Sequence, residues 1–219
     1  MNLSDYLKRI GYEGPARADL ETLNALIEAH VRTVPFENLD IHAERPMENS
    51  VEAAFDQIVT RGQGGWCYEM NGLFGWVLSE IGFDVTRLAA GVRRGKLGDA
   101  ALGNHLCLMV RLDDVDYLVD VGFGGSQISA ISLEHAETLH PPVRMALVPL
   151  ENGFWRLHEG GWGAAMSYDF AAAPADEGLL STQHDEQITD ANSVHRKTLT
   201  ARIRRDRAYY TLRGRMLET

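Results

Sequence analysis

Apolar residues recur at helical spacing through the first third of the chain. Leu3, Tyr6, Leu7 and Ile10 share one face, with Ser4 as the candidate cap. Leu20, Leu23, Leu26, Ile27 and Val31 repeat the pattern after Asp19, and Val51, Ala54, Phe55, Ile58 and Val59 repeat it after Ser50. Between the last two, Pro35 interrupts Val34-Pro35-Phe36-Glu37-Asn38-Leu39 and breaks the helix. A glycine-rich loop, Arg61-Gly62-Gln63-Gly64-Gly65-Trp66-Cys67, opens a fourth helix from about Cys67 to Ile81, which Gly82 stops. Beyond Gly82 the period shortens to that of strands. The candidates are Val85–Val92, Leu106–Leu112, Val115–Val121, Met145–Leu150, Phe154–His158, Met166–Phe170, Leu199–Arg204 and Ala208–Arg213. Asn152-Gly153 is a hairpin turn, and Asp206 separates the last two strands. The expected class is α+β: helices first, then a largely antiparallel sheet or barrel.

Composition adds bounds rather than a function. The chain has 219 residues, enough for one large domain or two small packed ones. No apolar run approaches the roughly 20 residues of a membrane span, and the amphipathic start lacks a signal-peptide core. The expectation is therefore a cytoplasmic protein without a membrane partner. Two cysteines, Cys67 and Cys107, make no disulfide framework. The net charge of −10 conceals an asymmetry. Residues 196–219 carry eight basic residues against Asp206 and Glu218, so the remainder is acidic, which argues against nucleic-acid binding. Strand alternation sets Arg202 and Arg204 opposite Leu199, Ala201 and Ile203. That face is either solvated or a contact for an anionic ligand.

Cys67 stands where the glycine-rich loop opens a helix, and the helix dipole there favours a thiolate, the nucleophilic form. Gly64 and Gly65 allow close backbone approach to a substrate carbonyl and leave N–H donors for an oxyanion. A buried, inert thiol remains the competing reading at this point. A base is supplied by folding His105–Leu112 and Val115–Val121 as a hairpin through Asp113-Asp114. Leu112 then faces Val115, Val110 faces Tyr117, Leu108 faces Val119 and Leu106 faces Val121, all apolar. The other face pairs Arg111 with Asp116, Met109 with Leu118 and Cys107 with Asp120. His105 is diagonal to Asp120 at roughly 7–8 Å between backbone positions, within side-chain reach. A carboxylate so placed holds the imidazole tautomer while the other ring nitrogen meets a nucleophile. The competing reading makes His105 a satisfied strand histidine and Asp120 a cap for the loop that follows. The eight histidines form no pair at ligand spacing and there is no C-x-x-C, so no metal is expected. Phosphate-loop and dinucleotide fingerprints are also missing.

Four segments together resemble the arylamine N-acetyltransferase family. They are Val34–Leu39, the run Gly64-Gly65-Trp66-Cys67-Tyr68-Glu69-Met70-Asn71-Gly72-Leu73, then His105, then Asp120-Val121-Gly122-Phe123-Gly124. The resemblance covers roughly residues 2–125 and returns faintly near Thr198–Leu217. It implies a helical bundle at 1–82 carrying the nucleophile, a β-barrel at 83–180 carrying His and Asp, and a shortened α/β lid at 181–219. It also implies a papain-like Cys-His-Asp arrangement and a ping-pong reaction with acetyl-CoA as co-substrate. On that footing Cys67 accepts the acyl group, His105 removes its proton and Asp120 orients His105. Phe36 and Phe123 line the pocket for a small arylamine or hydrazine, and Gly124 and Gly125 lie near the coenzyme. As isolated residues they read as core aromatics and a tight turn.

The chain departs from the family pattern at three places. Gln63 stands where an arginine is usual, which removes a charge near the thiol. Asn104 stands where a threonine or serine often precedes the histidine. The family lid continues past the point corresponding to Thr219. Two rival functions follow: an amide synthase or thioester hydrolase using the same triad, and a lid-less binding protein without turnover.

Overall fold

Residues 1–134, 136–161, 165–205 and 208–219 are described by a computed structural model. The turn expected at Asp206, Arg207 of the basic segment and His135 lie outside the described residues.

Helix α1 spans Leu3–Ile10, but its cap is Asn2, whose Oδ1 accepts the Ser4 N–H at 2.9 Å; Ser4 belongs to the first turn. Helix α2 (Leu20–Thr33) starts on Asp19, which accepts from the Thr22 N–H at 2.8 Å, and ends ahead of Pro35. The chain then extends as β1 (Phe36–Glu37), turns through α3 (Leu39–His42), and enters α4 (Val51–Phe55), which continues as a wider π turn over Asp56–Thr60. Helix α5 (Cys67–Ile81) ends at Gly82 with φ +104°. Leu73, Phe74, Val77 and Leu78 of α5 are fully buried against Tyr6, Leu23, Leu26, Ile27 and Val31. Each such side chain contributes about 1.5–3 kcal/mol by leaving water.

The sheet that follows consists of β2 (Asp84–Val92), β3 (His105–Leu112), β4 (Val115–Val119), β5 (Ile131–Ser132), β6 (Ala136–His140), β7 (Val143–Pro149), β8 (Phe154–Gly160) and β9 (Met166–Ala171). Their spatial order is β5-β4-β3-β2-β9-β8-β7-β6, with every pair antiparallel, and the two end strands approach each other to nearly close a barrel. The β3–β4 register is the one the apolar pattern requires: Leu112 faces Val115, Val110 faces Tyr117 and Leu108 faces Val119. Asp113 and Asp114 both take positive φ in the turn, as a two-residue hairpin of this twist demands. Both faces of β3 are buried. Leu108 and Val110 pack on the α5 side, while Cys107 joins Leu88, Leu118, Tyr168 and Phe170 inside the barrel.

The remaining segment forms α6 (Arg94–Leu97) between β2 and β3, then α7 (Glu177–Thr189), α8 (Val194–Lys197), β10 (Thr200–Arg205), β11 (Ala208–Arg213) and β12 (Met216–Glu218). Helix α7 carries no expected counterpart and runs across residue 180, where the sequence places a junction. Strand β10 pairs with β1, Phe36 opposite Arg202 and Glu37 opposite Ala201, in a second sheet ordered β1-β10-β11-β12. This ties β10 to the segment that hydrogen-bonds the glycine-rich loop. The outward face expected for Arg204 is overturned. That side chain is 1% exposed, and its guanidinium donates to the carbonyls of Gly125 at 3.1 Å, Ser126 at 2.7 Å, His140 at 3.1 Å and also Pro141. The alternation holds, but the face it selects points at the loop after β4 rather than at water.

Candidate active site

The loop before α5 is pinned by β1: Glu37 N–H donates to Gly65 O at 2.9 Å, and Gly65 N–H to Pro35 O at 3.2 Å. Gly64 is required there, since a Cβ would fall 2.2 Å from Pro35 O. Cys67 therefore enters α5 at a fixed height, 3% exposed, with its sulfur at the positive end of the helix. The Trp66 N–H donates to Glu69 Oε2 at 3.1 Å, which closes the helix start. Glu69 is held up at about 8, chiefly by burial, against the lowering effect of that hydrogen bond, and further by the charge of Glu37.

His105 is the first residue of β3 and Asp120 follows the last residue of β4, so the pair sits where the hairpin ladder ends. His105 Nε2 and Asp120 Oδ2 are 2.7 Å apart, both residues at most 2% exposed. The Cys67 side chain lies near enough to the imidazole to favour its charged form. Burial pushes His105 down, but the Asp120 carboxylate, the hydrogen bond to it and the nearby Cys67 side chain outweigh it and hold the ring at about 10. The three candidate residues thus lie together in one buried group.

Asn71, one turn along α5 from Cys67, was quoted in the sequence pattern without a role. Its Nδ2 donates to Asp120 Oδ1 at 2.8 Å and to Leu106 O at 2.7 Å, while its Oδ1 accepts from Val121 N–H at 3.0 Å. The helix that presents the thiol therefore also positions the carboxylate. The i, i+4 spacing from Cys67 was the signal available in sequence. Gly122 N–H adds a third bond to Asp120, at 2.9 Å to Oδ1. A Cβ on Gly122 would meet Asn71 Nδ2 at 2.6 Å and Cys67 Cα at 2.7 Å, so only glycine lets this loop close on the helix.

The other candidates divide. The Phe123 ring centre lies 5.2 Å from that of His105, at the site. Phe36, half-buried, forms a parallel bridge with Gly65 next to the Cys67 loop. Gly124 and Gly125 both take positive φ, +78° and +74°, and both are buried. The Tyr209 hydroxyl bonds to Gly124 O, and Arg202 crosses Gly124 so closely that a Cβ would lie 2.8 Å from its Cδ. Cys107 is fully buried inside the barrel, and burial pushes its thiol well up, so it is not a competing nucleophile. Two histidines without local sequence signals rest on Trp66, the residue before Cys67: its ring lies 5.2 Å from His184 and 5.4 Å from His195. Among the described residues, no three His, Cys, Asp or Glu side chains group so as to hold a metal ion, and no helix is long and apolar enough to cross a membrane.

A family model described as N-acetyltransferase matches residues 19–219. An arylamine N-acetyltransferase of Mycolicibacterium smegmatis is 40% identical over 226 residues, covering 99% of this chain and 82% of that protein. Arylamine N-acetyltransferase 1 of Homo sapiens is 40% identical over 163 residues, covering 73% of this chain and 56% of the human protein. The solved structure of Mycobacterium marinum arylamine N-acetyltransferase in complex with CoA superposes with a TM-score of 0.89 at 32% identity, covering 99% of this chain and 82% of that one.

Proposed function

This chain belongs to the arylamine N-acetyltransferase family, and from that premise we propose that it moves an acetyl group from acetyl-CoA, through a thioester on Cys67, to the nitrogen of a small arylamine or hydrazine. The observation that carries the reading is the buried His105–Asp120 pair, bonded at 2.7 Å, with the Cys67 side chain near the imidazole at the start of α5. In the first half-reaction the thiol proton has already passed to His105, as its raised proton affinity favours, and the sulfur attacks the acetyl carbonyl. The C–S bond to Cys67 forms, the C–S bond to coenzyme A breaks, and the proton leaves with the coenzyme thiol. Asp120 keeps the tautomer productive and balances the imidazolium. The N–H of Cys67 at the helix start is free of an intrahelical acceptor and faces the developing oxyanion. In the second half-reaction the amine attacks the thioester and Cys67 leaves.

Phe36 and Phe123 flank the thiol as the apolar walls of the acceptor pocket. Gly124 serves the coenzyme indirectly, by letting Arg202 approach the loop, and Gly125 by offering its carbonyl to Arg204; Arg204 is committed to four carbonyls and is not available to phosphates. The test is intact-mass analysis after mixing with acetyl-CoA. One acetyl adduct is expected, mapping to Cys67, absent in Cys67→Ala and present in Cys107→Ala. An adduct that persists in Cys67→Ala would overturn the assignment. Loss of the adduct without N-acetylated product when an arylamine is added would point to a thioester hydrolase.

A further inference from the structure

His195 sits on a single exposed helical turn that is held far more tightly than such turns need to be. Asn38 Nδ2 donates to His195 O at 2.8 Å and to Thr198 O at 2.9 Å, and Asn38 Oδ1 accepts from Thr200 N–H at 2.7 Å. His42 Nδ1 bonds to Arg196 O at 2.8 Å, and Arg196 pairs with Glu44 at 2.6 Å. These contacts come from the segment preceding the Cys67 loop, so they fix α8 relative to the nucleophile. Every one of them uses the backbone of residues 195–200 or the Arg196 side chain, and none uses the His195 ring.

The ring is half-buried against the edge of Trp66, the residue before Cys67, with centres 5.4 Å apart and planes at 68°. Among the described residues, the hydrogen bonds of His195 run through its backbone N–H and C=O and not through the ring. It is close enough to His105 for charge on one to oppose charge on the other. Burial first, and then that charge, lower His195 to about 4. Around the start of α5 there are thus two imidazoles in opposite states, His105 paired with Asp120 and disposed to be protonated, and His195 against Trp66 and held neutral. Environments that push two titratable groups apart in this way assign them opposite tasks.

We propose that the His195 imidazole receives the acceptor amine: a ring nitrogen takes a hydrogen bond from the amine N–H and turns the nitrogen lone pair toward the acyl carbon on Cys67. The proposal rests on the acyl-transfer reading and names a residue for its second half. In that step the N–C bond forms and the C–S bond to Cys67 breaks. The proton lost from the amine nitrogen ends on the Cys67 sulfur by way of His105. His195 stays neutral throughout and contributes orientation, which acts only when an amine is present.

The ping-pong sequence lets the two halves be measured separately on the full chain. p-Nitrophenyl acetate acylates Cys67 and reports the first half by p-nitrophenolate release; aniline or hydrazine added to the acyl-enzyme reports the second. His195→Phe keeps a ring against Trp66 and is expected to acylate within about two-fold of the unaltered chain, while transfer to either amine slows by about ten-fold, the worth of one hydrogen bond. His195→Gln, which offers a carbonyl oxygen in place of the ring nitrogen, is expected to recover most of that loss. An unchanged transfer rate in His195→Phe, or an equal fall in both halves in both variants, would overturn the proposal. Absence of any adduct on Cys67 in the unaltered chain would overturn the acyl-transfer reading and this one with it.

Discussion

Asp120 engages both carboxylate oxygens, Oδ2 with His105 and Oδ1 with Asn71 and Gly122. In Asp120→Asn a single oxygen must choose between them. If it stays with the two donors, the amide NH2 faces His105 Nε2, which must then accept. The ring proton moves to the nitrogen facing Cys67, which can no longer take the thiol proton. Acylation by acetyl-CoA is expected to fall by a factor on the order of 10²–10⁴, with little change in the thermal midpoint, because the shape is conserved. Acylation at the wild-type rate would return Asp120 to the role of a loop cap. The sequence identified Cys67, His105 and Asp120 because each sits in a local pattern: a helix start, a strand start and a hairpin end. Asn71 was harder, since an asparagine inside a helix has many uses and only the folded hairpin shows what its amide reaches.

At the scale of elements, the start of α5 combines two demands. On the proposed mechanism its first turn must favour a thiolate, yet Glu69 in that turn is a buried carboxyl with Glu37 close by. Glu69 is raised from 4.5 to about 8 in the fold. A carboxyl raised in this way stabilises the fold fully below about pH 4.5, and that contribution is lost as pH rises through 8. Glu69→Gln keeps an oxygen for the Trp66 N–H and removes the ionisation. Urea midpoints at pH 5 and pH 8.5 are expected to drop in the unaltered chain and to stay nearer level in the variant. Equal slopes would show that Glu69 is ionised in the fold without cost. Helix α7 illustrates the opposite case, an element without an audible pattern. Its buried stripe is Leu180, His184 and, half-buried, Ile188, so a histidine occupies the middle of the apolar face and masks the helical period.

Across the whole molecule, Arg204 joins three parts of the chain: strand β10, the loop at Gly125–Ser126 and the end of β6 at His140–Pro141. One side chain thus fixes the second sheet over the glycine turn that abuts the triad. Arg204→Met fills much of the same volume but leaves four carbonyls without their donor. Each buried acceptor left without a donor costs about 1–3 kcal/mol, so a large fall in the urea midpoint is expected. A weaker acylation rate should accompany it, since Gly122, two residues before Gly124, holds Asp120. A midpoint unchanged from the unaltered chain would mean that water replaces the guanidinium.

The sequence by itself determined the helical first third and the β3–β4 register, and it singled out Cys67, His105 and Asp120 as candidates. Those features are periodic or local: a slip of one residue would expose the apolar face that Leu108, Val110 and Val119 bury, so only one pairing survives. What only the tertiary structure decided is everything that depends on distant segments meeting. The contact of His105 with Cys67 required the barrel to pack on α5. The inward turn of Arg204 required β10 to pair with β1, across more than a hundred residues of chain. His195 gained its place because Asn38 grips the backbone of α8. Alternation along a strand says that two residues share a face; which side of the molecule that face meets is settled by the partner strand, and no residue near Arg204 or His195 in the sequence names that partner.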